Sequence, residues 1–364
     1  MYTKLFTVGP AQMYQNTLDV RKNVVPYFRT AEFSALMKEN KKMMQSLLGA
    51  DDDFEVIFLT ASGSGAMEAA VINCFDIKDK LLIISGGTFG ERFEKICEIH
   101  NIPFTAIKLN QDEQLTVEHL SMYASKGYTG LLINHHETYT GQLYDLNMVS
   151  DFCKQNNLYL MVDAISSFLC DPYNVSKYNV DATIVSSQKG LCLAPGLSII
   201  TLSKRIVKDK VLNIDPKSLY FNFKDYITNI SRGQTPFTPA VGVCFELNDM
   251  LKFILKRGVH ARLQEVKMRC EYFRNKLMEL PVSVPTFPLS NSITPVRFKE
   301  DIAMELFQYL KNEKGIIVNP VGGELGKYSI RVAHIGDLKN ADYDMLINEM
   351  KTFLRCGGDD VLCR

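Results

Sequence analysis

The chain carries no tryptophan and no net charge: among its 364 residues, 41 basic side chains are matched by 41 acidic ones. Such a balance offers no basic stripe to nucleic acid and none to an anionic membrane surface. No apolar run reaches the roughly 18 to 20 residues of a membrane-spanning helix. The nine cysteines form no CxxC pair and no His/Cys cluster with zinc-ligand spacing, so no metal site is expected. No signal-peptide pattern opens the chain, and the thiols are expected to be reduced in a cytoplasmic setting. Repeats and low-complexity tracts are missing. Neither GxGxxG nor GxxxxGK[ST] occurs, which leaves dinucleotide and Walker-type sites without support. What is present is the ordinary mixture of a globular protein, 46% apolar and 23% charged, and long enough for two or three domain-sized units.

Within that mixture, short apolar runs alternate with helical patterns between residues 54 and 202. Phe54–Leu59, Lys80–Ser85, Phe104–Leu109, Gly130–Asn134, Leu158–Val162, Val180–Ser187 and Leu197–Leu202 read as strands. Helices are expected over Ala31–Leu48, Ala66–Phe75, Glu91–His100, Val117–Ser125 and Asn147–Gln155. Continuous rather than alternating apolar runs point to a mostly parallel sheet covered on both faces, an α/β fold. Beyond residue 205 the pattern changes to a long helical region, Val241–Leu280, broken near Gly258. Short strands and helices then run to Leu354, suggesting a smaller α+β unit. The expected division is an extended arm over 1–20, a large unit over 21–240 and a small C-terminal unit over 241–364. The tail from Gly357 is expected to fray.

Ligands of such sheets bind beyond the carboxyl ends of the strands, and the unusual residues fall there. Ser62-Gly63-Ser64-Gly65 joins a strand to a helix N-terminus, whose free N–H groups and dipole suit an anion; a bare tight turn would look the same. Phe89, set between glycines, is a stacking plate or a rim residue. His135-His136-Glu137-Thr138 ends the next strand, and the two histidines fit a structural role better than a catalytic one. Asp163 ends another. Lys189 follows the run Val180–Ser187. A lysine there is either solvated or held from water, where its amine becomes a nucleophile suited to a Schiff base.

Pyridoxal phosphate needs a lysine, a carboxylate at its pyridine nitrogen, a phosphate cup and a surface to sandwich its ring. Lys189, Asp163, Ser64-Gly65 and Phe89 match those needs. With them stand Gly9-Pro10, Gly87-Thr-Phe-Gly90, His136-Glu-Thr-Tyr-Thr-Gly141, Val162-Asp-Ala-Ile-Ser-Ser167, Ser187-Gln-Lys-Gly-Leu191 with Pro195-Gly196, Thr235-Pro236, and Ile330-Arg331 leading to Ile335-Gly336. Together these resemble the class V aminotransferases of fold type I, over nearly the whole chain. The resembling group includes alanine–glyoxylate, serine–pyruvate and 2-aminoethylphosphonate–pyruvate transaminases.

The resemblance implies pyridoxal phosphate on Lys189, which also carries the proton during transfer, with Asp163 at the pyridine nitrogen. It implies Ser64, Gly65, Ala66 and Gln188 at the phosphate, Phe89 on the ring and Thr138 near the ring hydroxyl. Thr235 would reach a neighbouring subunit's phosphate, hence a homodimer with shared active sites. Gly9 and Arg331 would hold substrate, the latter through its bidentate fork. A small amine or amino acid (alanine, serine or 2-aminoethylphosphonate) would donate to pyruvate or glyoxylate. Gln188 matches the glyoxylate branch, whereas Ser62–Glu68 and the Arg331–Gly336 region match the phosphonate branch equally well. Arg232 offers a cation near the phosphate or an exposed ion pair. A lyase on the same fold, with Cys192 suggesting a desulfurase, and a non-catalytic binding protein are the alternatives.

Overall fold

The computed structural model describes residues 4–356; the expected fraying from Gly357 lies outside them. Strands β1 (Lys4–Phe6), β2 (Glu55–Leu59), β3 (Leu81–Ser85), β4 (Phe104–Lys108), β5 (Gly130–Asn134), β6 (Tyr159–Asp163), β7 (Ala182–Ser186) and β8 (Ser198–Leu202) are followed by β9 (Ile293–Arg297), β10 (Ile316–Pro320) and β11 (Ser329–Ala333). Seven of them form one sheet in the order β2-β8-β7-β6-β5-β3-β4. β3, β4, β5, β6 and β7 pair in parallel, while β8 runs antiparallel to both β2 and β7. No helix intervenes between β7 and β8. The chain turns back through Lys189–Gly196, and a direct return to a neighbouring strand gives an antiparallel pair. The lysine therefore sits in that return.

Helices α1 (Gln15–Arg21), α2 (Ala31–Leu48), α3 (Gly63–Cys74), α4 (Thr88–Ile99), α5 (Val117–Ser121) and α6 (Leu146–Gln155) precede or interleave the strands. A single turn, α7 (Lys204–Ile206), runs into a π-helical turn at Val207–Val211. Then come α8 (Phe223–Ser231), α9 (Val241–Arg257), α10 (Val259–Leu277), α11 (Ala303–Glu313) and α12 (Asn340–Cys356). None of the described helices is long and apolar enough to cross a membrane.

Alternate residues of each strand face opposite layers. Val56 and Phe58 pack with Met37 and Met44 of α2, Val149 of α6 and Leu247 of α9. Ile57 and Leu59 pack with Val71 of α3, Phe93 of α4 and Phe223 of α8. The continuous apolar runs are thus explained by burial on both faces. A second sheet, β1-β10-β11-β9, covers a separate core with Phe273, Leu306 and Tyr343.

Residues 4–14 bridge the two sheets. β1 joins β10 in parallel, from Lys4 opposite Ile316 to Phe6 opposite Val318. The Val8 N–H donates to Asn319 Oδ1 at 2.7 Å, and the Ala11 N–H donates to the Gln188 carbonyl at 3.0 Å. The expected arm is extended only as far as Tyr14, because Gln15–Arg21 folds as α1, a helix not expected there; its extended part is tied to the residue preceding Lys189.

Some elements differ from the sequence reading. α3 begins at Gly63 rather than Ala66, because Ser62 caps it by accepting from the Gly65 N–H at 3.3 Å. α4 begins at Thr88, so Phe89 lies in a first helical turn. α8 was not expected. It is short, but Asn222 caps it and Phe223, Tyr226 and Ile230 supply one buried stripe.

Candidate active site

Lys189 leaves the sheet just past β7, beside the strand that ends in Asp163: β6 and β7 pair with Asp163 opposite Ile184. Burial and the positive charge of Arg331 bring the lysine amine down to about 8, against the opposing pull of Asp163. An appreciable fraction is then a neutral amine at neutral pH. Its methylenes lie under Gly9. A Cβ at Gly9 would stand 2.6 Å from Lys189 Cδ and 2.7 Å from Cε. Only glycine lets the arm pass so close. Gly9→Ala is expected to push the lysine aside and lower turnover about 100-fold, the scale for a misplacement of about 1 Å. Circular dichroism and thermal melting should stay near wild type, because the displaced group is a side chain; unchanged turnover would show that the contact is tolerant.

Asp163 is 5% exposed. Its Oδ1 accepts from the Ile165 N–H at 2.8 Å, while burial raises the carboxyl to about 7. A cation placed beside it would favour the carboxylate again. Across the rim, the N-terminus of α3 presents the N–H groups of its first turn, of which that of Gly65 already donates to Ser62 Oγ at 3.3 Å. Ala66 differs from the expectation: its N–H already donates to the Ser62 carbonyl at 3.0 Å, so it reaches an anion only through a bifurcated bond. Gln188 Oε1 accepts from Ser186 Oγ at 2.7 Å, which fixes the amide and leaves its Nε2 donor for another partner.

Phe89 is half-buried. Its backbone is held by Glu137, a residue whose role the sequence did not reveal. The fully buried Glu137 carboxylate accepts from the Gly90 N–H at 3.3 Å, the Tyr139 N–H at 3.0 Å and Asn134 Nδ2 at 2.9 Å. A Cβ at Gly87 would strike Glu137 Cδ at 2.8 Å. The Gly-rich turn is thus shaped around a buried acid, whose proton affinity burial raises.

Arg331 projects from β11 to the same rim. Its Nη1 donates to the Thr138 carbonyl at 2.8 Å and its Nη2 to the Pro320 carbonyl at 2.6 Å. Those bonded partners are carbonyls, not carboxylates, and its buried Nε has no hydrogen-bond partner among the described residues. A guanidinium held from water without a bonded anion is poised to take one. The Thr138 hydroxyl donates to Ser166 Oγ at 2.9 Å, setting both hydroxyls against the rim.

The two histidines are neutral and built in. Burial brings each down to about 3. His135 Nδ1 shares a hydrogen bond with Ser167 Oγ at 3.0 Å. His136 Nδ1 meets Ser292 Oγ at 3.0 Å, at the end of a chain running through Ser290 to the Asp171 carboxylate. Cys192 is fully buried, with Arg262 Nη2 at 3.2 Å from its sulfur, and burial raises its thiol. That is a structural sulfur, not the accessible thiolate of a desulfurase. Arg232 is exposed and donates to Asn229 Oδ1 at 2.5 Å instead of forming the expected ion pair.

Thr235 does not fit the part the resemblance implied. It is 3% exposed and its hydroxyl donates to the Phe237 carbonyl at 2.7 Å, inside its own loop. Thr238, in the same loop, is exposed.

The amine, the carboxylate, the helix N-terminus, the aromatic plate and the guanidinium therefore share one rim. Comparison with known proteins shows the family. The family model for class V aminotransferases matches residues 12–333. An uncharacterised aminotransferase of Methanocaldococcus jannaschii is 26% identical, over 91% of this chain and 87% of that protein. A 2-aminoethylphosphonate–pyruvate transaminase of Phocaeicola vulgatus is 27% identical, over 86% and 88% respectively. The crystal structure of an alanine–glyoxylate aminotransferase from Nostoc sp. superposes with a TM-score of 0.92 at 24% identity, covering 98% of this chain and 96% of that one. With the match spanning most of its length, the chain belongs to the class V aminotransferases, in the fold type I architecture.

Proposed function

We propose that this aminotransferase uses pyridoxal phosphate to move an amino group from a small amine or amino acid to a 2-oxo acid. The carrying observation is Arg331: a guanidinium on the lysine's rim, bonded only to carbonyls and with an unpartnered Nε. A 2-oxo acid offers the carboxylate that this fork lacks.

The rim's donor set fits the cofactor. Lys189 supplies an amine of lowered proton affinity, and Asp163 a buried carboxyl for the pyridine nitrogen. The first turn of α3 and the Gln188 amide supply donors for a phosphate. Phe89 supplies an aromatic face. Bound there, pyridoxal phosphate supplies an electron sink for the bond being broken at the substrate carbon. Lys189 Nζ holds the transferred proton and returns it. Asp163 keeps the pyridine nitrogen protonated by offering it a nearby negative charge. Arg331 orients the substrate so that the bond to be broken faces Lys189. Gly9 and the arm cover the lysine and exclude water.

The proposed donors are alanine, serine and 2-aminoethylphosphonate, and the proposed acceptors pyruvate and glyoxylate. The working unit is proposed as a homodimer in which Thr238 of one subunit completes the phosphate site of the other. The division into arm (1–20), large (21–240) and small (241–364) units is part of the same proposal. Mixing the pyridoxal form with each amine, and the pyridoxamine form with each oxo acid, while following the visible spectrum tests the substrate class. At least one donor and one acceptor should complete a half-reaction. Failure of every member would reject the class, and product formed without any oxo acid would favour a lyase.

A further inference from the structure

Arg92 stands on α4, one turn after Phe89. Its Nη1 donates to Ser64 Oγ at 2.7 Å, and its guanidinium carbon lies 4.7 Å from the centre of the Phe89 ring. One half-buried side chain thus touches both the start of α3 and the aromatic plate. We propose that Arg92 is a positioning residue that couples the phosphate cup to the ring-stacking surface of this aminotransferase. The inference rests on the pyridoxal-phosphate reading.

The hydrogen-bond directions carry the argument. A serine hydroxyl has one proton and two lone pairs. The guanidinium can only donate, so Ser64 Oγ accepts from it and keeps its own proton for another acceptor. Polarised by a cation, that hydroxyl is a stronger donor. The acceptor it suits is an anion at the N-terminus of α3, where the helix dipole already favours negative charge. The cation adds to this attraction without spending its charge on a carboxylate; its named contacts are a hydroxyl and a ring.

The same guanidinium lies against Phe89, an attraction between a cation and a π face. Covering that ring on one side limits its rotation and leaves the opposite face for a flat ligand. Glu137 fixes the backbone of the same turn from below, so Phe89 is held at both its main chain and its side chain. Arg92 also acts on the reacting groups at longer range. Its charge favours the ionised form of Asp163 and opposes protonation of Lys189.

Titration of the apoenzyme with pyridoxal phosphate and with pyridoxal, which lacks the phosphate, tests this through visible absorbance. The proteins compared are wild type, Arg92→Gln, Ser64→Ala and the double variant. Arg92→Gln is expected to weaken pyridoxal phosphate binding about 10- to 100-fold, the range for a charge-assisted hydrogen bond. Pyridoxal affinity should change by less than about threefold, because the phosphate bond is the larger loss. The double variant should fall well short of the product of the two single effects, since Arg92 acts through Ser64. Multiplicative effects, or equal losses for both ligands, would overturn the coupling; so would wild-type affinity in Arg92→Gln. Arg92→Lys, which keeps the charge but not the fork, should recover part of the affinity. If wild type captures neither aldehyde, the cofactor reading itself fails, independently of Arg92.

Discussion

Lys189→Ala should lower transamination at least about 10⁴-fold, since it removes the nucleophile that fixes the cofactor and the group that moves the proton. The protein should fold normally. The substitution takes a disfavoured ammonium out of a buried site, so the melting temperature should hold or rise. Added ethylamine, a soluble base, should restore a small part of the rate by accepting the proton from solution. That rescue separates a lost proton carrier from a damaged fold. A variant retaining more than about one hundredth of wild-type activity would remove Lys189 from the chemistry.

The second large effect is at Arg331. Arg331→Gln should raise KM for the 2-oxo acid about 10²- to 10³-fold, the scale for breaking a buried charge pair, with a smaller fall in kcat. The asymmetry follows from the geometry. The guanidinium binds the carboxylate in the ground state and the transition state alike, and a uniform loss of binding appears in KM. Arg331→Lys should recover little. An ammonium keeps the charge but cannot bond the Thr138 and Pro320 carbonyls while presenting a planar fork to substrate. Steady-state kinetics with pyruvate and glyoxylate, read beside thermal melting, checks this. An unchanged KM with a lowered melting temperature would make Arg331 a strut between β10 and the Thr138 turn.

Much of this rim is legible in the sequence. Most strands from β2 to β8 are continuous apolar runs, and Ser64, Phe89, Thr138, Asp163 and Lys189 each end or follow one. In a sheet covered on both faces, that position is its own signal. The antiparallel return of β8 was not legible, since a buried strand shows the same apolar run in either direction. α8 was hidden by its brevity and its aromatic and β-branched residues, which favour strand as readily as helix. Thr235 and Thr238 are equivalent in composition. Which one turns inward is decided by the Phe237 carbonyl, a contact made by the folded loop. Arg92 reads in sequence as one more charge on a solvated helix face. Its partner Ser64 belongs to another strand–helix unit, and only the packing of α3 beside α4 brings the two together.

The central claim is that Lys189 captures the cofactor. It is tested most directly by mixing the apoenzyme with pyridoxal phosphate, reducing with borohydride, digesting, and mapping the pyridoxyl group by mass spectrometry. The group should reside on the peptide containing Lys189 and be absent from Lys189→Ala. Since burial and Arg331 lower the amine to about 8, the neutral form dominates above that value. Capture should therefore quicken as pH rises through about 8, rather than near the ordinary lysine value of about 10.4. Label spread over surface lysines, or none at Lys189, would contradict the account.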